Sequence, residues 1–258
     1  MKELSGYKAI VTGGSDGIGF GIATALAQNG ADLWLIARDK IKLQKNCDYL
    51  SSYGVKVFST SADLSDVRIL KTVVKEIRSV WNSIDILVNN VGIAIFTPFE
   101  EVGSEELNLQ LDLNVRVPYL LSQNLMAELI VSKGCIINIS SYFAERMLPG
   151  KPSTAYSLTK GALNSFTKAL AFELGQKQVR VNAIAPGTVN TPLFKQNVSD
   201  VLSDEQKAEY KNLIKTIYPL GHIGNPEDIG DIAVFLASQK AKWITGAIFN
   251  VDGGLTTN

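Results

Sequence analysis

Seven short apolar runs, at residues 9–11, 33–36, 55–58, 86–88, 135–139, 179–184 and 247–251, are separated by segments of helical length. Parallel neighbours need a long crossover, usually a helix, and strands that are apolar throughout belong to a sheet covered on both faces. The pattern therefore predicts an α/β fold, a doubly wound parallel sheet of about seven strands. Helix starts carry their own marks. Asn225 precedes Pro226, Glu227 and Asp228, and Ser104 precedes Glu105 and Glu106, each a cap candidate ahead of acids that complement the helix dipole. No Pro/Gly/Ser-rich linker, low-complexity tract or repeat interrupts the series, so residues 1–258 are expected to form a single domain.

A chain of 258 residues with 46% hydrophobic content can bury a large core. Its 25 basic and 25 acidic residues balance, and no basic block suggests a nucleic-acid partner. Cys47 and Cys135 lie far apart and accompany a lone histidine, His222, which argues against a disulfide framework or a metal site and for a reducing cytoplasm. The first residues lack the apolar run of a signal peptide, and no window approaches the roughly 20 apolar residues of a membrane span. A cytoplasmic protein without a membrane partner is expected.

Two stretches carry chemistry. The first apolar run enters Thr12-Gly13-Gly14-Ser15-Asp16-Gly17-Ile18-Gly19, followed by the helical pattern Ile22, Ala23, Leu26, Ala27. Glycines at a strand-to-helix turn allow a pyrophosphate to approach the backbone at a helix N-terminus. Their spacing, Gly13-x-x-x-Gly17-x-Gly19, is not the G-x-G-x-x-G of other dinucleotide folds. The second stretch is Tyr156-Ser157-Leu158-Thr159-Lys160, after a fifth run that ends in Ser140-Ser141. Four residues apart, Tyr156 and Lys160 share a helix face. An ammonium about 4 Å from the phenol is worth roughly 4 kcal/mol at an effective dielectric near 20. That would draw a phenol down from about 10 by up to about three units and make it a proton donor and acceptor near neutral pH. In isolation such a pair is more often an ordinary helix turn with a snorkelling lysine.

Taken together, these motifs give the chain a resemblance, over nearly its whole length, to the single-domain short-chain dehydrogenase/reductase family, and in particular to its carbonyl and 3-oxoacyl reductases and sugar dehydrogenases. The resemblance implies a Rossmann-type sheet. Thr12 to Gly19 matches the family's T-G-x-x-x-G-x-G cofactor turn, which assigns Gly13, Ser15, Asp16, Gly17, Ile18 and Gly19 to the cofactor. Asn89-Asn90-Val91-Gly92 matches its N-N-A-G segment with Val91 in place of Ala, and assigns Asn90 and Gly92; Asp63 and Leu64 are assigned in the same way. The catalytic tetrad falls on Asn114, Ser141, Tyr156 and Lys160. Ser141 lies fifteen residues before Tyr156, two more than usual, implying a short insertion within residues 146–154; Ser141 is preferred to Ser140 because it matches the family position. Asn114 sits inside a continuous helical pattern at residues 107–130.

Pro186-Gly187-Thr188-Val189-Asn190-Thr191 resembles the family's loop along the nicotinamide, with Pro186, Gly187, Val189 and Thr191 on the cofactor, and residues 188–218 correspond to a substrate lid. The implied reaction is hydride transfer between a nicotinamide and a small-molecule carbonyl or secondary alcohol, with Tyr156 as general acid or base. At the end of the second run stand Ala37, Arg38 and Asp39. NAD-type folds place an acid there on the ribose and NADP-type folds an arginine on the 2′-phosphate, so Arg38 points to NADP(H), although Asp39 could divert it. The alternatives are an NAD(H)-dependent sugar or polyol dehydrogenase and a non-catalytic NADP(H)-sensing protein. The helical segments 107–130 and 155–174 are more apolar than one sheet-facing stripe requires, and their family equivalents pair about two-fold axes, implying a homotetramer.

Overall fold

The computed structural model of the chain describes residues 2–196 and 201–257. Seven parallel strands form one sheet in the order β3-β2-β1-β4-β5-β6-β7. They are β1 Lys8–Thr12, β2 Asp32–Ala37, β3 Val57–Ser61, β4 Ile86–Asn89, β5 Cys135–Ile139, β6 Arg180–Pro186 and β7 Ile248–Val251. Helices α1 Gly17–Gln28, α2 Lys40–Ser51 and α10 Pro226–Ala237 cover one face. On the other lie α3 Leu70–Val80, α5 Val117–Asn124, α6 Met126–Ser132 and the long α7 Thr154–Leu174. This is the doubly wound Rossmann-type arrangement read from the run pattern. Among the described residues, no helix is long and apolar enough to cross a membrane.

The strand order reverses beside β1: the chain winds outward to β3, then returns to place β4 on the other flank of β1. Crossovers leaving in opposite directions open a crevice at the carboxyl ends of the two strands. Thr12 ties that crevice together. Its hydroxyl donates to the Val88 carbonyl (3.2 Å) and accepts from the Asn90 and Val91 amides at 2.9 and 3.0 Å. A third apolar cluster, built on Tyr142, Phe143, Ile214, Tyr218 and Leu255, lies beyond the carboxyl ends of β5 and β7, apart from the two main layers. Ile214 belongs to α9 Asp204–Ile217, whose first turn is closed by a reciprocal Ser203–Gln206 capping box.

Three sequence-based boundaries differ. The third strand runs Val57–Ser61 instead of 55–58; as an edge strand pairing only with β2, it is held by backbone register and tolerates Ser59 and Ser61 facing outward. Ser104 does not cap. It opens helix α4, Ser104–Leu111, behind Gly103. The pattern at 107–130 is not one helix: α4 passes into a π-helical turn at Asp112–Arg116, then α5, and α6 starts separately. Asn225 does precede α10, where its amide donates to the Asp228 carboxylate at 2.6 Å.

Candidate active site

The glycine turn is a backbone structure in which side chains have little space. Gly13 and Gly17 hold left-handed φ angles of 65° and 51°, which a β-carbon disfavours. A β-carbon on Gly19 would stand 2.2 Å from the Gly13 carbonyl oxygen and 2.4 Å from the Asn90 amide nitrogen. Asn90 Nδ2 also donates to the Thr12 carbonyl at 2.9 Å, so β1, the turn and the loop after β4 form one tightly apposed bed. Asp16 caps α1 by accepting from the Gly17 amide at 2.7 Å, and its other oxygen forms an ion pair with Lys42 of α2. Ser15 is held through its carbonyl by Asn46 Nδ2 at 2.8 Å. Ile18 is half-buried against the neighbouring core.

Arg38 follows β2 and is exposed. Asp39 is not its partner: it caps α2, accepting from the Lys42 amide at 2.9 Å. Asp63, beyond β3, is held below the usual carboxylate range chiefly by hydrogen bonds from Ser65, with a further contribution from the positive charge of Arg38. The Leu64 side chain is buried in the sheet core.

The tetrad candidates converge from three places, the end of β5, helix α7 and the π turn at Asp112–Arg116. At the end of β5 the adjacent serines part. Ser140 turns into α7, its hydroxyl donating to Asn164 Oδ1 at 2.6 Å, whereas Ser141 hydrogen-bonds with the phenol of Tyr156 and accepts from the Phe143 amide at 3.2 Å. The alternation of a strand sends consecutive side chains to opposite faces. Lys160, one turn after Tyr156 on α7, donates to the Ile139 carbonyl at 2.8 Å, and its nitrogen lies 5.6 Å from the centre of the Tyr156 ring. Asn114 lies in the π turn, a device that rotates one residue out of helical register. There its Oδ1 accepts from the Ile93 amide while Nδ2 donates to the Ile93 carbonyl, both at 2.8 Å, and to Thr159 Oγ1 at 3.0 Å. A β-carbon on Gly92 would meet Asn114 Oδ1 at 2.7 Å and Lys160 Nζ at 3.6 Å, so the Asn90–Gly92 loop touches the tetrad directly.

The electrostatics overturn one expectation. Burial pushes the Tyr156 phenol up to about 12, only partly opposed by its hydrogen bond with Ser141. Burial also lowers the Lys160 ammonium to about 8. The anticipated descent of the phenol toward 7 assumed partial solvation at contact distance. Here the ammonium stands over the ring, bonded to a backbone carbonyl, and desolvation of the charged form dominates at each group.

The loop after β6 closes the crevice. The Gly187 amide donates to Val251 (3.0 Å), Val189 forms a bridge with Gly224, and the Thr191 hydroxyl caps the single turn α8, Pro192–Phe194, by accepting from Phe194. Thr191 faces the glycine turn: a β-carbon on Gly17 would lie 3.1 Å from its methyl. Sequence reasoning missed Tyr218, which accepts from the Thr188 amide at 3.0 Å and donates to the Thr188 hydroxyl at 2.8 Å, pinning this loop from the end of α9. It also missed Phe96 and Phe143, whose rings each stand 5.8 Å from the Tyr156 ring. No local spacing marks these three, because each reaches the site from a separate loop or helix end. His222 is exposed, and its ring hydrogen-bonds with the Ile223 carbonyl.

Known proteins share this design. Residues 13–256 match the family described as Enoyl-(Acyl carrier protein) reductase. The chain is 34% identical over 257 residues to Oxidoreductase UcpA of Salmonella typhimurium, covering 99% of this chain and 97% of that protein. It is 37% identical over 250 residues to 3-oxoacyl-(acyl-carrier-protein) reductase FabG of Chlamydia muridarum, covering 96% of each. Among solved structures, L-sorbose reductase from Gluconobacter frateurii, complexed with NADPH and L-sorbose, superposes over 100% of both chains with a TM-score of 0.94 and 30% identity. A 3-oxoacyl (acyl-carrier-protein) reductase from Agrobacterium tumefaciens with NADP bound gives a TM-score of 0.89 at 26% identity, over 97% of this chain and 94% of that one. Similarity that runs end to end in both sequence and shape shows kinship beyond a common fold, and this chain belongs to the short-chain dehydrogenase/reductase family of oxidoreductases.

Proposed function

We propose that the protein is an NADP(H)-dependent oxidoreductase that interconverts a small-molecule carbonyl and a secondary alcohol, with Asn114, Ser141, Tyr156 and Lys160 as its working side chains. The observation that carries the reading is the hydrogen-bonded Ser141–Tyr156 pair beside Lys160, at the open end of a sheet whose first turn is a glycine bed. A dinucleotide fits that bed. The turn leaves backbone amides free of β-carbons at the N-terminus of α1, where a pyrophosphate gains from the helix dipole. Gly13, Ser15, Asp16, Gly17, Ile18, Gly19, Asn90 and Gly92 would line it, Pro186, Gly187, Val189 and Thr191 would border the nicotinamide, and Asp63 with Leu64 the adenine side.

A bound nicotinamide supplies or accepts the hydride. Tyr156 keeps its proton at neutral pH, being shifted up to about 12, and is set to donate it to a developing alkoxide during reduction. Ser141 donates a hydrogen bond to the same oxygen as charge grows. Lys160 supplies positive charge over the phenol ring and would hold the ribose hydroxyls of a bound cofactor, while Asn114 holds the Ile93 backbone and the Thr159 hydroxyl in fixed positions beside it.

Arg38 supports the phosphorylated cofactor. With Asp39 occupied as a helix cap, the guanidinium is available to a 2′-phosphate, and a charge-assisted hydrogen bond of roughly 1.5–3 kcal/mol gives about a 10- to 150-fold preference. The NADPH and NADP in the related solved structures point the same way. The second reading is an NAD(H)-linked sugar or polyol dehydrogenase, favoured by the carboxylate of Asp16 close to this end of the crevice. Comparing kcat/KM with the two cofactors decides between them on a panel of ketones and alcohols. The Ala37→Asp/Arg38→Leu variant should move preference toward NAD(H), and a wild type already preferring NAD(H) overturns the assignment.

The single domain takes residues 188–218 as its lid, of which 197–200 lie outside the described residues; α9 supports this by laying Tyr210, Ile214 and Ile217 against Tyr142 and Phe143. Assembly as a homotetramer is supported by exposed apolar side chains on the expected helices, Tyr119 on α5 with Leu158 and Phe172 on α7. A monomer mass by light scattering at micromolar concentration refutes it. Free, buried Cys47 and Cys135 accord with a cytoplasmic location.

A further inference from the structure

The Tyr156 phenol is surrounded by rings that proton transfer does not require. Phe96, from the loop after β4, and Phe143, from the turn after β5, each meet the Tyr156 ring edge-on at 5.8 Å, with interplanar angles of 72° and 71°. The two phenylalanines are themselves 5.2 Å apart, and Tyr142 stacks on Phe143 at 4.3 Å. Phe96 and Phe143 thus touch each other and the reacting ring, forming an apolar wall that Tyr142 backs through Phe143. Its outer edge is wet: Phe96 is 38% exposed. On that edge Lys151, from the loop between β5 and α7, places its ammonium nitrogen 5.7 Å over the Phe96 ring. Lys151 is exposed, so its charge remains available to a further partner.

A polyhydroxylated substrate needs donors and acceptors along its length, and hydroxyls set against carbon rings lose their hydrogen bonds. A flat or aliphatic body gains from the same rings by burial and edge-to-face contact. The cation sits on the Phe96 ring, which itself packs against the phenol ring. Resting on the carbonyl–alcohol reading, we infer that the preferred substrate is a ketone with an apolar body and an anionic group at its far end. The carbonyl oxygen sits between Ser141 and Tyr156, the body lies along Phe96 and Phe143, and the anion meets Lys151. Lys151 is then a specificity residue contributed by the short insertion that separates the serine from the tyrosine.

Steady-state reduction of three probes with NADPH tests this: 4-acetylbenzoate, its neutral isostere 4-acetylbenzamide, and a ketohexose. Wild type should rank them in that order by kcat/KM. In Lys151→Glu the benzoate-to-benzamide ratio should fall by about ten-fold, the scale expected for reversing one exposed charge, and Lys151→Arg should restore it. Phe96→Ala should lower kcat/KM for both aryl ketones, with cofactor affinity, followed by protein fluorescence, retained. A ketohexose preferred over the aryl ketones, or a ratio that does not respond to Lys151→Glu, overturns the inference and leaves the oxidoreductase reading standing. If cofactor binds and none of a broad carbonyl panel is reduced, the parent reading fails and takes the inference with it.

Discussion

The two ends of the crevice are built from opposite materials. At the glycine turn, recognition rests on backbone: Gly13, Gly17 and Gly19 matter for the atoms they lack, and the nearby charged groups Arg38, Asp16 and Lys42 are at least partly solvated. At the Tyr156 end, side chains do the work, Lys160 buried and Tyr156 half-buried, and desolvation moves the phenol and the ammonium in opposite directions from their ordinary values. Backbone recognition depends on shape and is indifferent to pH, whereas a buried acid–base pair depends on atoms whose protonation the fold itself controls. A substitution should therefore fail in different ways at the two ends.

The largest contrast is at the phenol. Tyr156→Phe removes one oxygen from a ring that keeps its packing against Phe96 and Phe143, so kcat should fall by roughly 10²- to 10⁴-fold while cofactor Kd, measured by calorimetry, stays near wild type. Retained turnover would show that the proton comes from elsewhere. Next come the paired serines. Ser141→Ala should cost roughly 2.7–4 kcal/mol of transition-state stabilisation, and Ser140→Ala should act mainly on stability, since its hydroxyl is committed to Asn164. The reverse ranking in kcat/KM would move the catalytic hydroxyl back by one residue.

At the other end, one methyl group should suffice. Gly19→Ala forces a β-carbon against the Gly13 carbonyl and Asn90, an overpacking typically worth 1–3 kcal/mol. A lower urea midpoint together with weakened cofactor binding is expected; normal binding would mean that the turn relaxes, and that the two ends are less different than they look.

The smallest effect is a pH signature of the buried ammonium. Lys160 is lowered from 10.5 to about 8. Below about pH 8 both folded and unfolded chains carry the proton, and the fold bears the cost of burying the charge. Between about 8 and 10.5 the unfolded chain still holds a proton that the folded chain has released, so stability rises with pH. Tyr156, raised to about 12, acts in the opposite direction only above its ordinary value of 10, which leaves pH 8 to 10 as the readable window. Denaturation of the cofactor-free protein should show the wild type gaining on Lys160→Met across that window. Parallel curves would mean that the ammonium is better solvated than its position suggests.

Much of this architecture is legible in the residues alone, because it rests on local rules. Apolar runs at strand length separated by helix-length segments fix a parallel sheet, the glycine turn must follow the first strand, and Tyr156 and Lys160 share a face by helical period. Where a partner comes from far along the chain, those rules are silent. The third strand was misplaced because an edge strand draws its register from its neighbour β2 more than from its own hydrophobicity. Asn114 reads as one more helical residue by pattern, and only the structure shows the π turn in which it bonds the Ile93 backbone. Tyr218, Phe96 and Phe143 come to the site from loops and a helix end up to more than a hundred residues apart in the chain. The protonation state of the Tyr156–Lys160 pair is likewise decided in three dimensions. The sequence determines that the two side chains meet; the depth of burial, a property of everything packed around them, determines which of their protons is held.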